Sequence, residues 1–133
     1  MRRIYRMRFI LWAAALYHVG WGLLIVAFPM QTSRLTGVEP GSYPQLWRGF
    51  GMVFAVFGVG YAIAARHPVK HWLLVFVGFL GKVLGPIGFL VGAVKGQFPW
   101  ATGWTFITDD LIWWIPFSWV LYQAYRAHRE GRE

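Results

Sequence analysis

Four long apolar segments, at about residues 9–29, 45–65, 71–94 and 103–125, constrain this chain more than any other feature. Each is close to the roughly 20 residues that a helix needs to cross about 30 Å of hydrocarbon. A helix satisfies its backbone hydrogen bonds internally, so segments of this kind predict an all-α integral membrane protein. The connections are short apart from residues 30–44, and short connections join antiparallel neighbours. The expected architecture is therefore one membrane domain over residues 1–133, an antiparallel bundle of four transmembrane helices. Composition agrees. Of 133 residues, 57% are hydrophobic and 14% charged, too few charges to cover a soluble domain of this size.

The basic start, "MRRIYRMR", invites comparison with a secretory signal. The apolar run behind it is too long for such a signal, and no small-residue cleavage site follows Pro29. It reads as a retained first span. Charge then sets the orientation. Arg2, Arg3, Arg6 and Arg8 precede the first span, Arg66 and Lys70 lie between the second and third, and Arg126, Arg129 and Arg132 lie in the tail. The other two connections carry only Arg34 and Lys95. This asymmetry predicts that both termini and the 66–71 loop face the cytoplasm, with the protein in the inner (cytoplasmic) membrane. The net charge of +8 is then an attraction to anionic head groups. Nucleic acid is not an expected partner, because the basic residues are split over three ends with no single stripe.

The chain has no cysteine, which excludes disulfides, thiolate metal sites, iron–sulfur clusters and thiol redox chemistry. His67 and His71 stand four apart, but Pro68 interrupts them and no third ligand is near, so no metal site is expected. His18 is the one deep histidine, too few for a bis-histidine haem, and no serine or cysteine nucleophile has a base beside it. No cofactor is expected.

Small residues mark the packing faces. Gly78, Gly81, Gly85, Gly88 and Gly92 recur at spacings of three and four, which predicts one continuous close-packing stripe on the third span. The second span repeats the pattern with Gly51, Ala55, Gly58, Ala62 and Ala65, and the first carries Ala15 and Gly22 with His18 between them. The fourth has bulky Trp104, Trp113, Trp114, Phe117 and Trp119 instead, suited to filling the space the seams leave. Trp47, Trp72, Trp100 and Trp104 sit near span ends, where an aromatic belt is ordinary. Pro86 and Pro116 lie inside spans and free carbonyls that neighbours must satisfy.

Polar residues within these spans need partners, since an unpaired charge near mid-bilayer costs at least about 2.5 kcal/mol. At 1.5 Å per residue, His18 lies about 16 Å below the outer boundary, Lys82 about 18 Å, and Asp109 and Asp110 about 9–11 Å. A lysine stem reaches several ångströms, which brings these groups within range. Extending the second seam back from Gly51 lands on Arg48. The expected pairs are Lys82 and Arg48 with Asp109 and Asp110, in either assignment; adjacent aspartates differ by about 100° and address different partners. The cluster has two readings. It locks helices together, or it lines an outward-opening pocket of His18, Arg48, Tyr61, Lys82 and the aspartates, with Trp113 and Trp114 as further candidate ligand contacts.

The stretches "WRGFGMVFAVFGVGYAIAA", "GFLGKVLGPIGF", "FPWATGW" and "DDLIWWIPF" resemble, in layout, small uncharacterised bacterial four-span proteins of the DoxX-like kind. The resemblance covers roughly residues 45–120 and implies that Arg48, Lys82, Asp109 and Trp113–Trp114 belong to one unit. Some such sequences carry an alkyl hydroperoxide reductase label, which implies cysteine chemistry that a cysteine-free chain cannot perform.

Three functions remain open. Small size, absent redox ligands and a large apolar perimeter favour a non-catalytic accessory or structural subunit, with other membrane subunits or copies of itself as partners alongside the lipid bilayer. An oligomeric transporter or channel for protons or a small solute would use His18, Lys82 and Asp109. An enzyme acting on a hydrophobic substrate would need a cavity large enough for a lipid-like molecule.

Overall fold

The computed structural model describes residues 1–39 and 44–132. They are helical almost throughout, with no strand among the described residues. The first helix, α1, spans Arg2–Ala27. It begins well before the apolar run because arginine is a good helix former and its long stem carries the charge to water. Pro29 stops it, with the Phe28 N–H closing the last turn on the Leu24 carbonyl at 2.8 Å.

Of residues 30–44, read from sequence as a loop, 30–36 belong to a further helix, α2, Pro29–Thr36, and 40–43 lie outside the described residues. Pro29 supplies the fixed φ suited to a first turn, and Gly37, at φ 74°, supplies the left-handed residue that ends it. Thr32, Ser33 and Thr36 are buried beneath it with their hydroxyls on main-chain carbonyls of Phe28, Val38 and Ser33. The Trp47 indole N–H donates to the Thr32 hydroxyl at 2.9 Å, tying α2 to the start of α3, Pro44–Arg66. Helix α4 follows over Trp72–Val94.

Helices α1, α3 and α4 are each long and apolar enough to cross a membrane. The fourth apolar segment is helical but not one regular helix. A 3-10 turn at Trp100–Thr102 leads into a short α5, Gly103–Phe106, then a π-turn, Ile107–Leu111, and α6, Ile112–Arg129. The π-turn falls on "ITDDL", the segment that holds both aspartates.

The closest helix pair is α1 with α3. A Cβ placed on Gly22 would lie 2.5 Å from the Gly51 carbonyl oxygen, and one on Gly58 would lie 2.7 Å from the Val19 backbone nitrogen. Only glycine permits main chains this near. The glycines of α4 behave differently from the single stripe expected. Gly78, Gly85 and Gly92, seven residues apart, receive side chains: the Tyr61 ring, the Asp110 carboxylate and the Phe98 ring. Gly81 and Gly88 have open space where a Cβ would be and are exposed. The reason is angular. Seven residues return almost to the same helical face, whereas the alternating three-and-four pattern is wide enough to leave part of itself outside.

At the end where the termini meet, Leu11, Ala14, Ala64, Val75, Phe117 and Val120 are fully buried in one cluster. The outward faces expose Leu16, Leu23, Val56, Val59, Leu84 and Leu90. So much exposed aliphatic surface is what a lipid-facing perimeter requires.

Candidate functional site

Lys82 projects from α4 into the space between α1 and the π-turn and is 3% exposed. Its Nζ donates to the Asp109 main-chain carbonyl at 2.5 Å and lies 2.7 Å from His18 Nε2. His18 is itself 1% exposed, with Nδ1 2.7 Å from the Ala14 carbonyl. A carbonyl only accepts, so Nδ1 carries the proton and Nε2 accepts from Lys82. The ammonium also lies 5.8, 5.9 and 5.6 Å from the ring centres of Tyr61, Trp113 and Phe117. Aromatic faces within about 6 Å offset part of its lost hydration.

The two aspartates diverge. The Asp109 carboxylate accepts from the Tyr17 hydroxyl. Asp110 turns toward α4, where its Oδ1 is 3.9 Å from Lys82 Nζ. Its other oxygen sits 2.8 Å from where a Cβ on Gly85 would be, so that glycine is what lets the carboxylate approach. The contact with Lys82 is an ion pair but too long for a hydrogen bond. Among the described residues nothing donates a hydrogen bond to the Asp110 carboxylate. The two carboxylates thus face different partners, Tyr17 and Lys82.

Arg48 does not join them. It is half-buried near the start of α3 and has no hydrogen-bond or ion-pair partner among the described residues. A long arginine at a helix end can carry its charge to the interface without a carboxylate, which removes the reason for the pairing.

Trp113 and Trp114 brace the backbone. Pro86 has no N–H, so the Lys82 carbonyl four residues earlier lacks its helical donor. The Trp114 indole N–H fills that vacancy at 2.9 Å. Trp113 likewise donates to the Thr108 carbonyl within the π-turn at 3.1 Å. Neither residue lines the cavity described next; Tyr61 does.

That cavity, of about 240 Å³, lies between α1, α3, α4 and the π-turn. Its floor is polar, formed by His18, Lys82 and Asp110, and its walls are apolar, with Phe50, Val53, Phe54 and Phe57 along α3. From Trp47 to Tyr61 it follows α3 for about 21 Å at 1.5 Å per residue. Phe50 and Val53 of α3 and Gly81 of α4 line it and are exposed, which leaves it unsealed along the α3–α4 side. These two helices share a far smaller interface than α1 and α3. Thr102, 2% exposed, also lines it, and its hydroxyl has no hydrogen-bond partner among the described residues.

Sequence reasoning did not single out Tyr17, Phe54 or Thr102. Tyr17 had a signal, a hydroxyl next to the deep histidine. Phe54 lies against the His18 ring, tilted by 30° and 4.5 Å between centres, but is one phenylalanine among many. Compared with known protein families, curated proteins and solved structures, the chain gives no match.

Proposed function

We propose that this chain is an integral protein of the cytoplasmic membrane that binds a lipophilic small molecule taken from the bilayer. The molecule enters between α3 and α4 and seats its polar end on Lys82 and Asp110. One observation carries the reading: a largely apolar cavity of about 240 Å³, lined by exposed residues of α3 and α4 and by the Lys82–Asp110 ion pair. An apolar cavity of ~150 Å³ already holds benzene. The space is ample for one slender ligand. In this proposal the fourth helical segment crosses beside the other three, completing a four-helix bundle, and both termini are cytoplasmic. Arg2, Arg3, Arg66, Lys70 and Arg132 gather around a second, wider cavity at one end, which supports that orientation. The layout also supports kinship with DoxX-like proteins.

Binding is favoured over transport because Leu11, Val75, Phe117 and Val120, all fully buried, form an apolar layer beneath the ion pair. The accessory-subunit reading keeps one specific support, the open glycine face of Gly81 and Gly88, on which a helix of another chain could pack.

Native mass spectrometry of the protein extracted from its own membrane in mild detergent distinguishes these readings. The expected result is a small lipophile retained on the chain and lost from Gly81→Leu, which adds bulk at a cavity-lining position where no atom lies within 4 Å of an added Cβ. A reproducible complex with other proteins and no small molecule would favour the subunit. A bare chain would refute the binding proposal.

A further inference from the structure

Resting on the binding reading, we infer that the ligand carries a hydroxyl head, an alcohol or a phenol, that bridges Lys82 and Asp110. The polar floor is incomplete in a defined way. Two of the three Lys82 N–H groups are directed to His18 Nε2 and the Asp109 carbonyl. The third has only Asp110 Oδ1, at 3.9 Å. The Asp110 carboxylate, on a residue 9% exposed, has acceptor capacity and no donor among the described residues. Both residues line the cavity.

What fits is a group that accepts from an ammonium and donates to a carboxylate. An oxygen about 2.8 Å from each satisfies both when it sits off the line joining them. A hydroxyl is the smallest organic group with one donor and two acceptor lone pairs. A ketone or ether oxygen accepts from Lys82 but leaves Asp110 without a donor. A carboxylate or phosphate meets the charge of Asp110, and an ammonium meets that of Lys82. The remainder of the ligand must be apolar and narrow, because Phe50, Val53, Phe54 and Phe57 flank a groove only about 240 Å³ in volume.

Matched probes test the head group on the full chain in nanodiscs. 4-Octylphenol is compared with 4-octylanisole, and 1-dodecanol with dodecyl methyl ether, by displacement of the co-purified lipophile or by thermal shift. A hydrogen bond to a charged group is worth enough that each hydroxyl should bind at least about tenfold more tightly than its ether. The relative strength of the phenol and alcohol arms then identifies the source of the hydroxyl. Asp110→Asn should shrink the hydroxyl preference to within about threefold, and Gly81→Leu should abolish binding of all four probes. If hydroxyl and ether bind equally to wild type and Gly81→Leu abolishes both, the pocket stands and the head-group inference falls; water then fills the gap. If a folded wild type binds no probe and retains no lipophile, the binding reading falls with it.

Discussion

Trp114 and Pro86 provide a test of whether the backbone around the site is held as described. The Lys82 carbonyl lacks a helical donor because residue 86 is proline, and the Trp114 indole N–H supplies one at 2.9 Å. Replacing Trp114 with Phe removes that donor and leaves a carbonyl unpaired in apolar surroundings, at a cost of about 1–3 kcal/mol beyond any loss of packing. In a Pro86→Ala background the N–H restored at that position reaches the same carbonyl as an ordinary helical bond. The indole then becomes redundant, and Trp114→Phe should cost less by about 1–2 kcal/mol. Packing changes common to both backgrounds cancel in the cycle. Equilibrium unfolding of the four proteins in detergent micelles, titrated with a denaturing detergent, yields the coupling. A coupling below about 0.5 kcal/mol would refute the exchange of donors, because that is the scatter of independent sites.

Further predictions address packing and Asp109. Gly58→Ala should destabilise by about 1–3 kcal/mol, since its Cβ would fall 2.7 Å from the Val19 backbone nitrogen and force α1 and α3 apart. Gly60→Ala, in open space, should be neutral or stabilising by up to about 1 kcal/mol in the same unfolding assay. Tyr17→Phe removes the hydroxyl that Asp109 accepts from and should cost about 1–3 kcal/mol, whereas Tyr17→Phe combined with Asp109→Leu should recover part of that loss. A loss in the double variant equal to the sum of the Tyr17→Phe and Asp109→Leu losses, within about 0.5 kcal/mol, would show that the Tyr17–Asp109 contact contributes nothing.

The meeting of His18, Lys82 and the aspartates was legible because depth along a helix is a count. Each residue advances 1.5 Å, and opposite charges on different helices at depths that a lysine stem can bridge have few other places to go. The same arithmetic failed for Arg48. It lay on the extension of a seam, but a seam says nothing about a side chain long enough to leave it. The freed carbonyl at Lys82 was legible from Pro86; its donor was not, because any of several nearby indoles could have reached it. The π-turn at "ITDDL" has no sequence periodicity of its own, so the interruption of the fourth segment was invisible. Helix α2 was readable in principle from Pro29 and Gly37, but eight polar and apolar residues without a long stripe look like a loop. The lateral opening was the least legible feature. It depends on how far α3 and α4 separate, which tertiary packing decides and local pattern does not.

The most direct test of lipophile binding is a crystal structure grown from a lipid mesophase, using protein that has never been stripped of its native lipids. The expected result is one elongated ligand along α3 between Trp47 and Tyr61, its hydroxyl oxygen within hydrogen-bond distance of Lys82 Nζ and Asp110 Oδ1. A cavity closed by its own side chains, with Asp110 bonded directly to Lys82, would contradict it.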